Sequence, residues 1–509
     1  MNILYIPLDE RPCNYQYPQM IAELQDEITL LTPPPPLLNQ KKIAADTEAL
    51  WEWVSTAAGQ CQAGIFSIEM LVYGGLLPSR LHQATEEELL TRLFRLRELK
   101  EAYPTFKIYA GNLIMRTPHY NSSEEEPDYY EEYGERIFQW AWLKDKASRE
   151  GLEEGEEQEL QRIDQEIPEE VITDYSQRRE KNVAINKAVI QLVKEGVIEF
   201  LSIPQDDSAP YGFTALDQKA VVKEVIAQRL QTKVHMYPGA DEVGCTLLAR
   251  AYQELTQQRT KVYVYYSSVH SAQIIPMYED RPLGESLKAH ILATNALMVD
   301  RPEEADIILA VNTAGKVMME AWDQEIKDIT YSTFRNLRSF VDQIKQWTLE
   351  GKKVAVADVA FANGGETELI QLLDDMAAWD DVLAYAGWNT NCNTIGTVLS
   401  TAIIGKDTDQ QEMIDKNKIY HLLEGWAYQS EVRMKMVKEY LPTLGASYYD
   451  FNGQEATINI EMESRIRACW TDMMQQSFQK YHLEQVKVYS PWHRMFEIGI
   501  DLRVGAEKE

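Results

Sequence analysis

Between residues 1 and 405 the chain alternates short, almost wholly apolar runs with longer amphipathic segments. The runs are NILYIPL, EITLLT, AGIFSIEML, FKIYAGNLIM, IEFLSI, KVHMY, KVYVYY, DIILAV, KVAVADVAF and VLAYAGW. Apolar residues recur at helical spacing at 44–57, 86–101, 182–194, 217–230, 243–255, 283–297, 333–349 and 366–378. A strand that is apolar on both faces must be covered on both faces, so this rhythm predicts parallel β/α units. The class is α/β. A barrel-like (TIM-like) ring is favoured over two doubly wound domains, because polar clusters follow most strands and an open sheet converges only at its switch point.

Two stretches break the rhythm. Residues 116–181 are acidic and tyrosine-rich, with EEEPDYYEEYGER followed by GLEEGEEQELQRIDQEIPEE. They read as a solvated helical insertion, with a lid over the site as the functional alternative. Residues 407–480 look helical and 486–504 look like a short β element. The organisation expected is a catalytic β/α region at 1–405 and a C-terminal helical and β extension at 406–509. No internal repeat is visible.

A net charge of −30 disfavours nucleic acid, which needs a basic face, and gives no attraction to anionic membranes. The five cysteines, Cys13, Cys61, Cys245, Cys392 and Cys469, are scattered and form no CxxC pair. That argues against a disulfide framework or structural zinc and fits a reducing compartment. The opening MNILYIPLDERP lacks a basic leader and reads as a first strand. No stretch approaches the ~20 apolar residues of a membrane helix. The expectation is a cytoplasmic protein with a small-molecule or carbohydrate substrate and no nucleic-acid or membrane partner.

Ligands in parallel α/β folds sit outside the carboxyl ends of the strands. The residues there are DERPCN, EMLVYGGLLPSR, GNLIMRTPHY, QDDSAPYG, YPGADEVG, SSVHS, VNTAG, DVAFANGGETE and GWNTNCNTIGT. No HExxH, GxSxG, GxxxxGK[ST] or strand-linked GxGxxG occurs, so neither metal nor cofactor is expected. Carboxylates, amides, arginines and aromatics remain, the equipment of glycoside chemistry: one acid protonates the leaving oxygen and another supports positive charge at the sugar carbon. Like charges held close push their pKa values apart, giving an acid and a base from one residue type. Asp206 and Asp207 are the catalytic candidates, with a helix N-cap as the plainer reading. Substrate contacts are assigned to Asp9, Arg11, Asn14, Glu69, Tyr73, Arg80, Arg116, Tyr211, Asp241, Glu242, Asn363, Trp388, Asn389 and Asn391. Asp241 and Glu242 could equally cap a helix, and Trp388 could equally be core.

YIPLDERPCN, YGGLLPSR, QDDSAPYGFT, YPGADEVG, DVAFANGGETEL and AGWNTNCNT, in that order, resemble a bacterial family catalogued as domain of unknown function 4127. The resemblance spans nearly the whole chain. It implies motifs clustered at strand ends and carries no activity with it. The paired aspartates also resemble, over a few residues, the strand-end acids of enzymes that remove N-acetylglucosamine by substrate assistance. In those, one acid is the general acid and the other steadies the acetamide.

The leading expectation is therefore a hydrolase acting on glycosyl bonds of a small glycan, an N-acetylhexosaminide among the candidates. One alternative is a cofactor-independent isomerase or racemase using Cys13 and Cys392 as thiol bases. Others are a binding protein without turnover, or a carboxylate site for magnesium or calcium built from Asp9, Asp206, Asp241 and Asp358.

Overall fold

A computed structural model describes residues 1–206 and 209–506. All ten apolar runs contain strands. They are β1 (Asn2–Ile6), β2 (Thr29–Leu31), β3 (Ala63–Ser67), β4 (Lys107–Gly111), β5 (Phe200–Gln205), β6 (Val234–Pro238), β7 (Lys261–Tyr266), β9 (Ile307–Thr313), β11 (Val354–Val359) and β13 (Ala384–Ala386). The sequence reading gave no strand for β8 (Leu297–Val299), the edge strand β10 (Met319–Glu320) or, as a separate element, β12 (Phe361–Ala362). The C-terminal β element is an antiparallel hairpin of β14 (Tyr481–Tyr489) and β15 (Gly499–Ala506).

The chain divides into two compact units. The first takes Met1–Glu10, Ile28–Leu247 and Tyr278–Asp280; the second takes Arg11–Glu27, Leu248–Met277 and the chain from Arg281 onward. The first holds a parallel six-stranded sheet in the order β2-β1-β3-β4-β5-β6. The second holds a parallel five-stranded sheet in the order β13-β11-β9-β7-β8. Read from the strand after the first, each sheet begins second, first, third: β2-β1-β3 and β8-β7-β9. That common order is invisible in the sequence because the two sets of strands share a pattern of burial and no residues.

Burial explains the strand composition. Every residue of β3, β5, β9 and β11 is buried. Parallel strands with both faces covered tolerate only apolar and small side chains until the ladder ends. In β5 the ladder ends at Pro204 and Gln205, whose partners on β6 are Tyr237 and Pro238. Proline has no N–H to give, so pairing stops there and Asp206 leaves the sheet.

The acidic insertion is folded. The helices Tyr130–Arg149, Glu154–Glu166 and Glu169–Lys194 enclose a core of Tyr130, Ile137, Leu143, Ile163, Val171 and Tyr175. It belongs to the first unit.

In the second unit three glycines bring backbones into contact. Gly365 N–H donates to the Gly425 carbonyl at 2.9 Å. A Cβ on Gly387 would lie 3.1 Å from Gly365 Cα, and one on Gly425 would lie 2.6 Å from the Gly387 carbonyl oxygen. Gly425 sits in Leu422–Val432, a segment wound with i→i+5 turns, a form that recurs at functional sites. Gly425→Ala forces this packing apart and is expected to destabilise the protein by about 1–3 kcal/mol. Gly155→Ala, with nothing within 4 Å, is expected to be neutral or stabilising by up to about 1 kcal/mol. Urea unfolding of the two variants beside the parent measures both.

Candidate active site

The carboxyl ends of β3, β4 and β5 converge in the first unit. β3 runs straight into a single wide turn, Glu69–Tyr73, which buries Glu69 and Tyr73. Past β4 the chain stays beside β5: Asn112 N–H donates to the Ser202 carbonyl at 3.0 Å and Ile114 N–H to the Pro204 carbonyl at 3.2 Å. Glu69 thereby meets fixed donors. Its Oε1 accepts from Leu113 N–H (2.7 Å) and Asn112 Nδ2 (2.8 Å), and its Oε2 from Ser67 Oγ (3.1 Å). Burial pushes the Glu69 carboxyl pKa up, and these donors oppose it without cancelling it. Burial and then Glu69 itself hold the Tyr73 phenol well above its usual range.

Arg80 is the centre of the charge arrangement. Its Nη2 donates to Asp206 Oδ2 at 2.6 Å, and its Nη1 to Glu125 Oε2 at 3.0 Å and Glu126 Oε1 at 3.3 Å. Arg116 reaches the same two glutamates, Nη2 to Glu125 at 2.9 Å and Nε to Glu126 at 2.8 Å. Burial and the neighbouring Arg116 work against the Arg80 charge; Glu126, Asp206 and Glu125 outweigh them, so its pKa is raised. Glu69, Tyr73, Arg80, Asn112, Asn182 and Asp206 line one cavity of about 10 Å³. That is the scale of a single water.

The insertion completes this site. Its helix Glu169–Lys194 carries Asn186, whose Nδ2 fixes Asn112 Oδ1 at 2.7 Å, and Asn182, whose Nδ2 donates to the Ser79 carbonyl at 2.9 Å. Arg179, buried, donates to the carbonyls of Met115 (2.7 Å) and Arg116 (2.9 Å) and so fixes the backbone from which Arg116 projects. None of Asn182, Asn186, Arg179, Glu125 or Glu126 was singled out by the sequence reading. The signal that could have found Arg179, Asn182 and Asn186 is a run of amides and arginines on the buried face of that helix; Glu125 and Glu126 sit in an acidic run that carries no such mark.

Of the residues assigned from sequence, Glu69, Tyr73, Arg80 and Asp206 line the cavity, and Arg116 joins them through Glu125 and Glu126. Asp207 lies outside the described residues. Asp9, Tyr211, Asp241 and Glu242 are in the same unit. Tyr211 packs edge-on to Trp142 at 5.1 Å, on the insertion. Glu242 is fully buried just past β6, with Oε2 accepting from Ala240 N–H at 2.9 Å; burial holds its pKa well above the usual carboxylate range.

Arg11, Asn14, Asn363, Trp388, Asn389 and Asn391 belong to the second unit. Trp388 is core there: it is buried, donates Nε1–H to Thr397 Oγ1 at 3.3 Å and meets Tyr17 edge-on. Asn363 and Asn389 hold positive φ, 59° and 52°, as turn residues, and Asn363 N–H donates to the Asn389 carbonyl at 2.9 Å. Asn391 opens the helix Asn391–Gly405. Arg11 stacks on Trp492 at 4.5 Å, and Arg494 stacks on the same ring at 4.6 Å. The loop between β14 and β15 thus supplies a tryptophan that two arginines contact. Asn14 Nδ2 lies 3.7 Å from Cys13 Sγ; Cys13 and Cys392 are both buried, and none of the five cysteines is in a disulfide.

The second unit carries its own buried acids. Asp358, at the end of β11, accepts from Asn312 Nδ2 (2.9 Å), Glu366 N–H (2.6 Å) and Tyr385 Oη (3.2 Å). Burial, then the nearby Glu366, pushes its pKa up to about 7. Glu366 is itself bound by both ends of the Arg335 guanidinium. Burial also pushes Glu424 up to about 7 against hydrogen bonds from Gln429 and Tyr17 and the charge of Arg433. Among the described residues no group of three or more His, Cys, Asp or Glu is arranged to hold a metal, and no helix is long and apolar enough to cross a membrane.

A family model described as protein of unknown function (DUF4127) matches residues 3–501. The chain belongs to the DUF4127 family. No curated protein matches it. The match spans both units of this DUF4127 protein, from β1 into β15.

The two acids near 7 make stability pH-dependent in a definite direction. The folded protein keeps protons that the unfolded chain has released, so each contribution is fully present below the ordinary carboxylate range and is lost as pH rises to about 7. Glu424→Gln removes one of them. Between about pH 5 and pH 8 its unfolding free energy is expected to shift relative to the parent by on the order of 2–3 kcal/mol, in the variant's favour. Urea midpoints across that range measure it, and a pH-independent difference contradicts it.

Proposed function

We propose that this DUF4127 protein hydrolyses glycosyl bonds of a small, polar glycan, with the chemistry at the ends of β3, β4 and β5. One observation carries the reading: two carboxylates in contrasting environments line one cavity. Asp206 is ion-paired with the buried Arg80 guanidinium at 2.6 Å. Glu69 is buried among neutral donors with its pKa raised. A carboxyl desolvated by burial and one paired with a guanidinium are the contrasting environments that glycoside hydrolysis uses to divide its two roles between a pair of acids.

In this reading Glu69 passes its proton, by way of one water, to the leaving oxygen as the bond from that oxygen to the anomeric carbon breaks. Asp206 faces the positive charge that develops there, and a second water adds to the anomeric carbon as the new hydroxyl and returns its spare proton to Glu69 by the same route. The cavity holds no more than a water, so the sugar lies at its mouth, where the Asp206 side chain is 19% exposed. The Asp206–Asp207 pairing with an acetamido sugar is the narrower form of the same proposal. The strand orders of the two sheets support two doubly wound halves over a single ring. Five cysteines outside any disulfide favour a cytoplasmic location.

A panel of aryl glycosides, N-acetylhexosaminides included, tests this. Asp206→Asn and Glu69→Gln are each expected to lower kcat by about 10²- to 10⁴-fold, with Glu69→Gln also removing the alkaline limb of the pH–rate profile. Cys13→Ser is expected to leave turnover intact. Absence of turnover by the parent on the whole panel sinks the reading; loss on Cys13→Ser with retention on Asp206→Asn favours thiol chemistry instead.

A further inference from the structure

Glu125 and Glu126 occupy the two arginines unequally. Both carboxylates bridge Arg80 and Arg116. Glu126 is sealed in, with its side chain 1% exposed, while that of Glu125 is 17% exposed on the outer side of the pair. Both come from residues 121–128, a strap with no helix or strand that precedes the helix Tyr130–Arg149. It is also tied to partly exposed lysines, Lys41 Nζ to Glu124 and Lys42 Nζ to the Ser123 and Glu126 carbonyls, and to the exposed start of the next helix, where Glu131 Oε2 accepts from Ser123 and Asn121 Oδ1 accepts from Glu135 N–H. One of the two acids is built into the core, and the other is held at its edge by a segment that surface contacts keep in place.

We propose that Glu125 is an internal stand-in for an anionic group of the substrate, and that the Arg80–Arg116 pair is a carboxylate clamp. The inference rests on the glycosidase reading for the reaction and names its substrate class: a glycan bearing a carboxylate, such as a uronic acid. Three features point this way. Two guanidiniums offering adjacent N–H groups match a carboxylate in shape as well as charge. Exchange of Glu125 for a substrate carboxylate conserves the charge of the cluster, so the buried arginines are never left unpaired, which would be the costly outcome. Arg80 also holds Asp206, so an anion in the place of Glu125 is anchored to the same guanidinium as the reacting carboxylate. The strap then competes with substrate and closes the site when none is bound.

Glu125→Gln tests this, since Glu125 takes no part in the proposed bond cleavage. Calorimetry of D-glucuronate, D-glucose 6-phosphate and D-glucose against parent and variant is the measurement. The variant is expected to bind D-glucuronate at least about tenfold more tightly than the parent, with a smaller gain for the phosphate and none for glucose. Adding Arg116→Gln to Glu125→Gln is expected to abolish the gain, with thermal unfolding confirming that the double variant is folded. Amide hydrogen exchange at residues 121–128 is expected to rise when D-glucuronate binds the parent. Equal D-glucuronate affinity in parent and Glu125→Gln overturns the proposal, as does a gain that survives the loss of Arg116. A gain mainly for the phosphate replaces the carboxylate with a phosphorylated ligand. The two readings fail separately: turnover of aryl glycosides with no effect of Glu125→Gln on D-glucuronate affinity removes the clamp alone, and a clamp that binds D-glucuronate in a protein that cleaves no glycoside removes the hydrolase alone.

Discussion

Parallel strands cannot be joined by tight turns, so each must be followed by a crossover, and each sheet ends up covered on both faces. Everything else in this chain follows from that constraint. It makes β3, β5, β9 and β11 wholly buried. It leaves Ser67, Gln205, Asn312 and Asp358 at or next to the carboxyl ends of those strands, where the chain leaves the sheet before it has reached water. Charged groups there are neither core nor surface. They persist only with partners, and the partners have to be brought from elsewhere in the chain. Arg80 shows the result: its three carboxylate partners come from the strap and from the end of β5.

This division decides what could be read from the sequence. Apolar runs located ten strands, because burial on both faces leaves a mark in composition. β8 escaped because Leu297 and Met298 are exposed and extend a helical pattern. The helix Glu169–Lys194 begins well before the expected 182, its first turns burying Val171 and Tyr175 among Glu169, Glu170, Asp174 and the arginines, whose charge hides the stripe. The acids at the ends of β3 and β5 were found because strand ends can be counted. Their supports were not, for a physical reason. Arg179 holds the backbone at 115–117, and Asn186 holds Asn112, which holds Glu69. Such chains of hydrogen bonds join residues far apart in sequence and leave no periodicity.

The same limit explains the acidic insertion. EEEPD reads as a solvated charge run, and for most such runs that is correct. Glu126 is an exception because two buried guanidiniums need a counter-charge more than the glutamate needs water. Trp388 went the other way: an aromatic at a strand end could have been a sugar platform, and its Thr397 and Tyr17 contacts make it core. In both cases what decided the outcome was the partner, and the residue type alone could not.

The choice of arginine over lysine at positions 80 and 116 matters for the same reason. An ammonium satisfies acceptors around a point, and burying it favours loss of its proton. A guanidinium keeps its charge at any ordinary pH and spreads five donors along three edges. Arg80 uses one nitrogen for Asp206 and another for the strap. The two sets of bonds leave from different nitrogens while sharing one charge. In the proposed clamp, a group exchanged at one nitrogen therefore changes the field felt at the other. Glu69, which no arginine reaches among its hydrogen bonds, sits outside that exchange and is governed by burial alone against three neutral donors. Two acids at neighbouring strand ends are thus set by different physics, one by pairing and one by desolvation. In the proposed hydrolysis, that difference is what separates the roles of two residues of one class.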